Sequence, residues 1–248
     1  RSSSLCGFGS ASCIPQPGTT VKLDPLSDIL MDKVQYRNFG DHEAIVCSHV
    51  CNSDGLGKAG VRWYELRKDA SGTWYIYQQS TYSVNSDHRF MSSVSINPQG
   101  KIALGYNVSS TSRYPSMAVT GRDSCDVLNS MTITEQLLAS GTASNSNSRY
   151  GDYNGMVCDP VDGSFWMTAQ YNPASSWATK VVHFNFSDCT VPQQRLADGD
   201  LQQPMVISPN PSVGQTRVAL PASVHGWMYV EVFDMAGKCM LHKACTVC

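Results

Sequence analysis

Apolar and polar residues alternate with a period of two along most of this chain. The pattern is carried by "VRWYELR", "TWYIYQQSTYSV", "KIALGYNVSS", "SMAVTGR", "SFWMTAQYN" and "ATKVVHFNF". These runs are rich in aromatic and β-branched residues and are bounded by Gly, Pro, Asn and Asp, which predicts short strands joined by tight turns. Helical spacing is nearly absent. "PLSDILMDKVQYR" (25–37) has apolar positions that suit a short helix, and "SMTITEQLLASG" (130–141) is ambiguous. The pattern therefore predicts an all-β sandwich, barrel or propeller.

A repeat narrows that choice. "GDHEAIVCSHV" from Gly40, "SDHRFMSSVSI" from Ser86 and "GDYNGMVCD" from Gly151 each open with Asp beside His or Tyr and continue as a strand. Each then meets a glycine turn, an aromatic-bearing strand and a further strand. Four-stranded units repeated in this way predict propeller blades, whose aromatic residues fill the space between neighbours. Three units are visible, whereas closed propellers have about four to eight. The sequence thus predicts a partial β-propeller over 1–190, expected to be part of a longer parent, with exposed blade faces that favour oligomerisation. Residues 191–204, within "TVPQQRLADGDLQQPMV", read as a polar linker. Residues 205–248 alternate again, with strand candidates "TRVAL" and "MYVEVFD", and read as a small, truncated β-sandwich module.

Composition removes several classes of function. Hydrophobic residues make up 42% of the 248 and charged residues 15%, which argues for an ordered core. A net charge of -2 leaves no electrostatic footprint for nucleic acid. No apolar run reaches membrane-spanning length. The opening "RSSSLCGFGSASC" lacks the apolar core of a signal peptide. Ten cysteines, an even count, fit an oxidising compartment such as the periplasm or cell exterior. The alternative is a set of buried free thiols.

The repeated motif also carries the candidate chemistry. Arg37, Arg89, Arg122 and Arg149 fall at or near unit boundaries, and Arg89 and Arg149 flank the Asp-His/Tyr pairs. If these pairs open innermost strands, the arginines could converge on a central channel and hold an acidic sugar through bidentate guanidinium forks. Asp41, His42 and His88 would then be further ligand-binding groups. Asp152, Tyr153 and Asp87 would be catalytic if the protein is a glycosidase, because such enzymes use paired acids and sialidases replace one with tyrosine. The alternative is that each Asp caps a turn or pairs with Arg between blades. "CMLHKACTVC" spaces Cys239, His242, Cys245 and Cys248 evenly, but such spacing rarely wraps a tetrahedral ion, and no metal is expected. There is no P-loop, dinucleotide glycine pattern or nucleophile elbow, so no cofactor is expected.

Two resemblances add to this reading. "SPNPSVG" (208–214), "TRVAL", "MYVEVFDMAGK" (228–238) and "CMLHKA" resemble the C-terminal sorting domain of the type IX secretion system. That resemblance implies a small β-sandwich that engages the secretion machinery through residues 205–248. "YRNFGDHEA", "GVRWYELR", "SGTWYIYQQSTY", "YPSMAVTGR", "RYGDYNGM" and "FWMTAQY" resemble large secreted, sialidase-like propeller proteins. "KDASGTW" (68–74) is similar to a degenerate Asp-box, a turn device of such blades. The resemblance makes 25–37 a loop and strand. It implies a bacterial protein, secreted or at the cell surface, that binds glycan or another extracellular polymer. A sialidase-type glycoside hydrolase and a structural adhesion or matrix protein are the alternatives.

Overall fold

The computed structural model describes residues 5–6, 12–27, 29–68 and 71–187, and the backbone of four strands between 206 and 247. The Asp69 of the Asp-box-like segment, the 191–204 linker and all of the "SPNPSVG" motif after Ser208 lie outside the described residues. Compact contacts divide the chain into two units, Arg1–Cys189 and Thr190–Cys248.

The first unit is all-β and contains three antiparallel sheets of four, four and three strands. The first sheet holds β1 (Gln35–Asn38), β2 (Glu43–Asn52), β3 (Ala59–Lys68) and β4 (Trp74–Tyr82). The second holds β5 (His88–Ile96), β6 (Ile102–Ser109), β7 (Ser116–Arg122) and β8 (Ile133–Ala139). The third holds β9 (Gly155–Cys158), β10 (Phe165–Tyr171) and β11 (Ala178–Phe184). Strands follow one another in each sheet without crossover, and none of the three sheets closes on itself. In the second unit β12 (Val206–Ser208) pairs with β13 (Arg217–Ala219), and β14 (Gly226–Phe233) with β15 (Cys239–Val247).

Each Asp-His/Tyr motif thus contributes three consecutive strands. The fourth strand has a different origin in each four-stranded sheet: β1 precedes the motif in the first, and β8 ends the second. The ambiguous 130–141 stretch becomes β8. The helix-like 25–37 stretch is loop and strand because its backbone donors are claimed from a distance. Met31 N–H donates to the Ser48 carbonyl at 3.0 Å, and Leu30 forms an isolated antiparallel bridge with His49 of β2. Leu26 and Asp32 also take positive φ, which no α-helix admits.

The second sheet lies between the other two. Along β6, Ile102, Leu104, Tyr106 and Val108 pack with Val46, Val61 and Trp63 of the first sheet. The alternate residue Ala103 packs with Phe165 and Met167 of the third. Period-two alternation delivers one set of side chains to each side. Gly105 faces the third sheet, where an added Cβ would collide with the Met167 and Met156 side chains. The faces turned away from the second sheet stay open, exposing Tyr36 and Ile76 on one side and Trp166 and Val181 on the other.

The strands that follow the three motifs, β2, β5 and β9, run side by side and are joined by serines. Ser48 on β2 meets Ser92 on β5 at 3.0 Å, while Ser93 donates to Asp32 at 2.6 Å and accepts from Met156 N–H at 2.9 Å. A bulge in β5, with Met91 at a φ of 51°, puts these consecutive serines to use in different directions.

Two arginines close the interface between the first and second sheets. Arg89 is fully buried and grips Glu135 through Nε at 2.6 Å and Nη2 at 3.0 Å. Tyr106 donates to the same carboxylate at 2.6 Å, and the guanidinium lies over the Tyr82 ring. Arg122 donates to Gln78, which donates to Glu65, itself held by Arg67 at 2.6 Å. A buried charge stripped of its partner is strongly destabilising, whereas an apolar replacement of the pair is tolerated. Glu135→Ala is therefore expected to cost about 3–5 kcal/mol. The loss should appear as a lower urea midpoint at unchanged slope. Arg89→Met combined with Glu135→Leu should recover most of it.

Candidate functional site

The three motif copies occupy equivalent places, each just before the first strand of its unit, yet their side chains do different things. Asp41 is exposed and meets His42 Nδ1 at 2.8 Å, while the His42 ring stacks on Phe39. Asp87 is buried and accepts from Arg113 Nε at 2.7 Å. Asp152 pairs with Arg149. Arg37 donates from Nε to the Ile96 carbonyl at 3.0 Å, tying the first sheet to the second. The arginines therefore form no common cluster. Arg89 and Arg122 are buried in separate networks, and Arg149 alone of the three opens onto a cleft.

That cleft has a volume of about 490 Å³ and is lined by Asn145, Asn147, Arg149, Tyr150, Gly151, Asp152, Tyr153, Gln170 and Trp177, with Ser146. The loop that forms its floor is pinned from several directions by amides. Asn145 N–H donates to the Gln16 side chain at 2.7 Å, and Gly151 N–H to the Gln170 side chain at 2.9 Å. Asn154 donates to the Met91 carbonyl at 2.8 Å and to Asn107 at 2.7 Å. Gly151 has a φ of 76°, and a Cβ there would strike the Asn107 side-chain oxygen. Glycine is thus required both by the left-handed backbone and by the close approach.

The cleft combines apolar rims with a polar floor. Trp177 is 60% exposed and Tyr153 94%. Tyr150 is buried, packs its ring beside Phe90, and leaves its hydroxyl without a hydrogen-bond partner. Burial raises its phenol pKa, so the O–H persists at any physiological pH. Asp152 Oδ2 accepts from Arg149, and its buried Oδ1 has no partner. Among the lining residues there is one guanidinium and one carboxylate, and they neutralise each other. Arg149, Asp152 and Tyr153 were singled out by the sequence motif. Trp177, Tyr150, Gln170 and the asparagines were not, although "NSNSRYGDYNG" is visibly rich in amides.

A second depression of about 560 Å³ lies beside the second motif, lined by Asp54, Lys58, Asn85 and His88 among others. His88 Nδ1 accepts the Ala59 N–H at 3.2 Å, and Lys58 Nζ donates to the Asn85 carbonyl at 3.0 Å. Among the described residues no group of three His, Cys, Asp or Glu is placed to hold a metal ion. No helix there is long and apolar enough to cross a membrane. Cys6 and Cys13 form a disulfide, Cys125 is also disulfide-bonded, and Cys47 and Cys158 are free thiols.

No protein-family model matches the chain, and no curated protein matches it. Among solved structures it has a distant, partial likeness to a GH43 endo-arabinanase from Bacillus licheniformis, with a TM-score of 0.33 and 13% identity. The likeness covers 61% of this chain and 50% of that one, so this chain spans about half of its length. At that identity and score it says nothing about chemistry.

The second motif contributes to the response to acid. Burial lowers the His88 pKa below the ordinary 6.5, so the unfolded chain takes up this proton first as pH falls. Stability is therefore lost as pH drops below about 6.5. Burial pushes the Asp87 carboxyl up, but hydrogen bonds from Arg113 and Ser110 and the charges of Arg113 and Arg89 outweigh it and hold the pKa low. That contribution is present above the ordinary Asp pKa and disappears in stronger acid, below about pH 4. His88→Asn, whose Oδ1 can accept the Ala59 N–H, should flatten the first limb and leave the second. Urea midpoints measured across the pH range check this.

Proposed function

We propose that this chain belongs to a secreted or cell-surface protein that binds glycan or another extracellular polymer in the cleft between Asn145 and Trp177. The observation that carries the reading is the pairing of exposed aromatic rings, Trp177 and Tyr153, with a floor of amides and an ion pair. Sugar rings present an apolar face to an aromatic side chain and hydroxyls to polar groups, and this cleft offers both.

Binding is favoured over hydrolysis by the count of acids. Glycosidases place two acidic groups across the bond, or an acid and a tyrosine. Here Asp152 is the one carboxylate among the lining residues, and Asp87 is engaged by Arg113 elsewhere. A sialidase-type reaction would rest on Asp152 and Tyr153 alone.

The wider setting follows the sequence. We read the three sheets as consecutive blades of a partial propeller, supported by their uninterrupted strand order and the two-sided packing of the middle sheet. Residues 205–248 are read as a type IX sorting module that engages the export machinery, on the strength of their motif. Export is supported by disulfides at Cys13 and Cys125.

Trp177→Ala should leave folding intact, since the ring is mostly exposed, and should weaken polymer binding about tenfold, the equivalent of about 1.4 kcal/mol of stacking. Affinity electrophoresis in polysaccharide gels measures this. Retardation that is unchanged by the substitution would sink the assignment to this cleft, and turnover of the polymer would establish the hydrolase instead.

A further inference from the structure

We infer that the ligand of this cleft is an uncharged, hydroxyl-rich glycan, and that Asp152 is the residue that excludes acidic ones. The inference rests on the binding reading above and specifies its substrate class. The arginine motif in the sequence points to the opposite, an acidic sugar held by guanidinium groups. Two features of the cleft reverse that expectation.

The first is charge balance. Arg149 is the one guanidinium lining the cleft, and it is in direct contact with Asp152. A ligand carboxylate approaching Arg149 would have to displace that contact or share the guanidinium with a second negative charge. Arg89 and Arg122 offer no help, because both are buried and their forks are directed at Glu135 and Gln78. The net field at the cleft is therefore close to neutral, and steering of an anion toward it is weak.

The second is the chemistry of the groups left open. Asp152 Oδ1 and the Tyr150 hydroxyl are buried side-chain atoms without partners in residues that line the cleft. A buried polar atom without a partner costs free energy that a ligand hydrogen bond can recover. An ionised carboxylate only accepts, so Oδ1 requires a donor. A sugar hydroxyl donates to it, whereas a carboxylate meets it with like charge. Trp177 and Tyr153 then cover the apolar face.

The test uses the full chain on arrays of neutral polysaccharides (glucan, galactan, mannan, xylan and arabinan) and carboxylated ones (polygalacturonate, alginate, hyaluronate and polysialic acid), at low and high salt. Wild type should bind on the neutral array with little dependence on salt and ignore the carboxylated array. Asp152→Asn should lose about tenfold in neutral binding, as removal of a charge-assisted hydrogen bond implies. It should also gain carboxylated binding that salt abolishes, because Arg149 is released. Arg149→Gln, at a side chain 62% exposed and thus safe for folding, should weaken neutral binding several-fold, because the pair that lines the cleft is broken, and should still reject acidic polymers. Salt-sensitive wild-type preference for a carboxylated polymer, abolished by Arg149→Gln, would overturn the inference while leaving the glycan reading in place. No binding on either array would overturn both.

Discussion

The second sheet is covered on both faces, and this constraint governs the rest of the first unit. A sheet with solvent on one side can place polar residues at every other position; β5, β6 and β7 cannot. Their side chains are buried almost throughout, so each polar group among them needs a partner. Ser92 and Ser93 of β5 find theirs on β2, on β9 and in Asp32, while the Ser95 hydroxyl has none. Arg89 finds Glu135 and Tyr106, and Arg122 finds Gln78 and several backbone carbonyls. Close packing accounts for the small residues as well, with Gly105 set against two methionines of the third sheet.

The cleft follows from the same frame. Its loop enters from the end of the second sheet's segment and leads into β9, and it is held by side chains of Gln16, Asn107 and Gln170. Three anchors from separate parts of the chain leave little freedom to the floor, while the rim residues Trp177 and Tyr153 remain exposed. A rigid floor below exposed rings suits recognition of a rigid polymer, because little ordering entropy is lost on binding.

The motif repeat has two meanings that separate only in the structure. Its position is structural, since every copy precedes the first strand of its unit. Its chemistry is local. The same aspartate meets a neighbouring histidine in the first copy, a loop arginine in the second and a cleft arginine in the third. One repeated motif therefore gives a stack of similar units with a cleft at one of them and a histidine-lined depression at another.

The amino-acid sequence by itself determined the strands. Alternation with period two, aromatic and β-branched enrichment and glycine turns are local signals, and the antiparallel hairpins they encode form between neighbours in the chain. It also marked Arg149, Asp152 and Tyr153, because motif and repeat are linear features. The tertiary structure decided which arginines are buried, since residue type says nothing about what packs over a side chain. Arg89 became a core ion pair through Glu135, 46 residues away, and no linear pattern links them. The cleft likewise depended on bringing Asn145, Gln170 and Trp177 beside the motif. Their side chains converge because separate hairpins pack together, and that geometry is set by long-range contacts that local spacing does not encode.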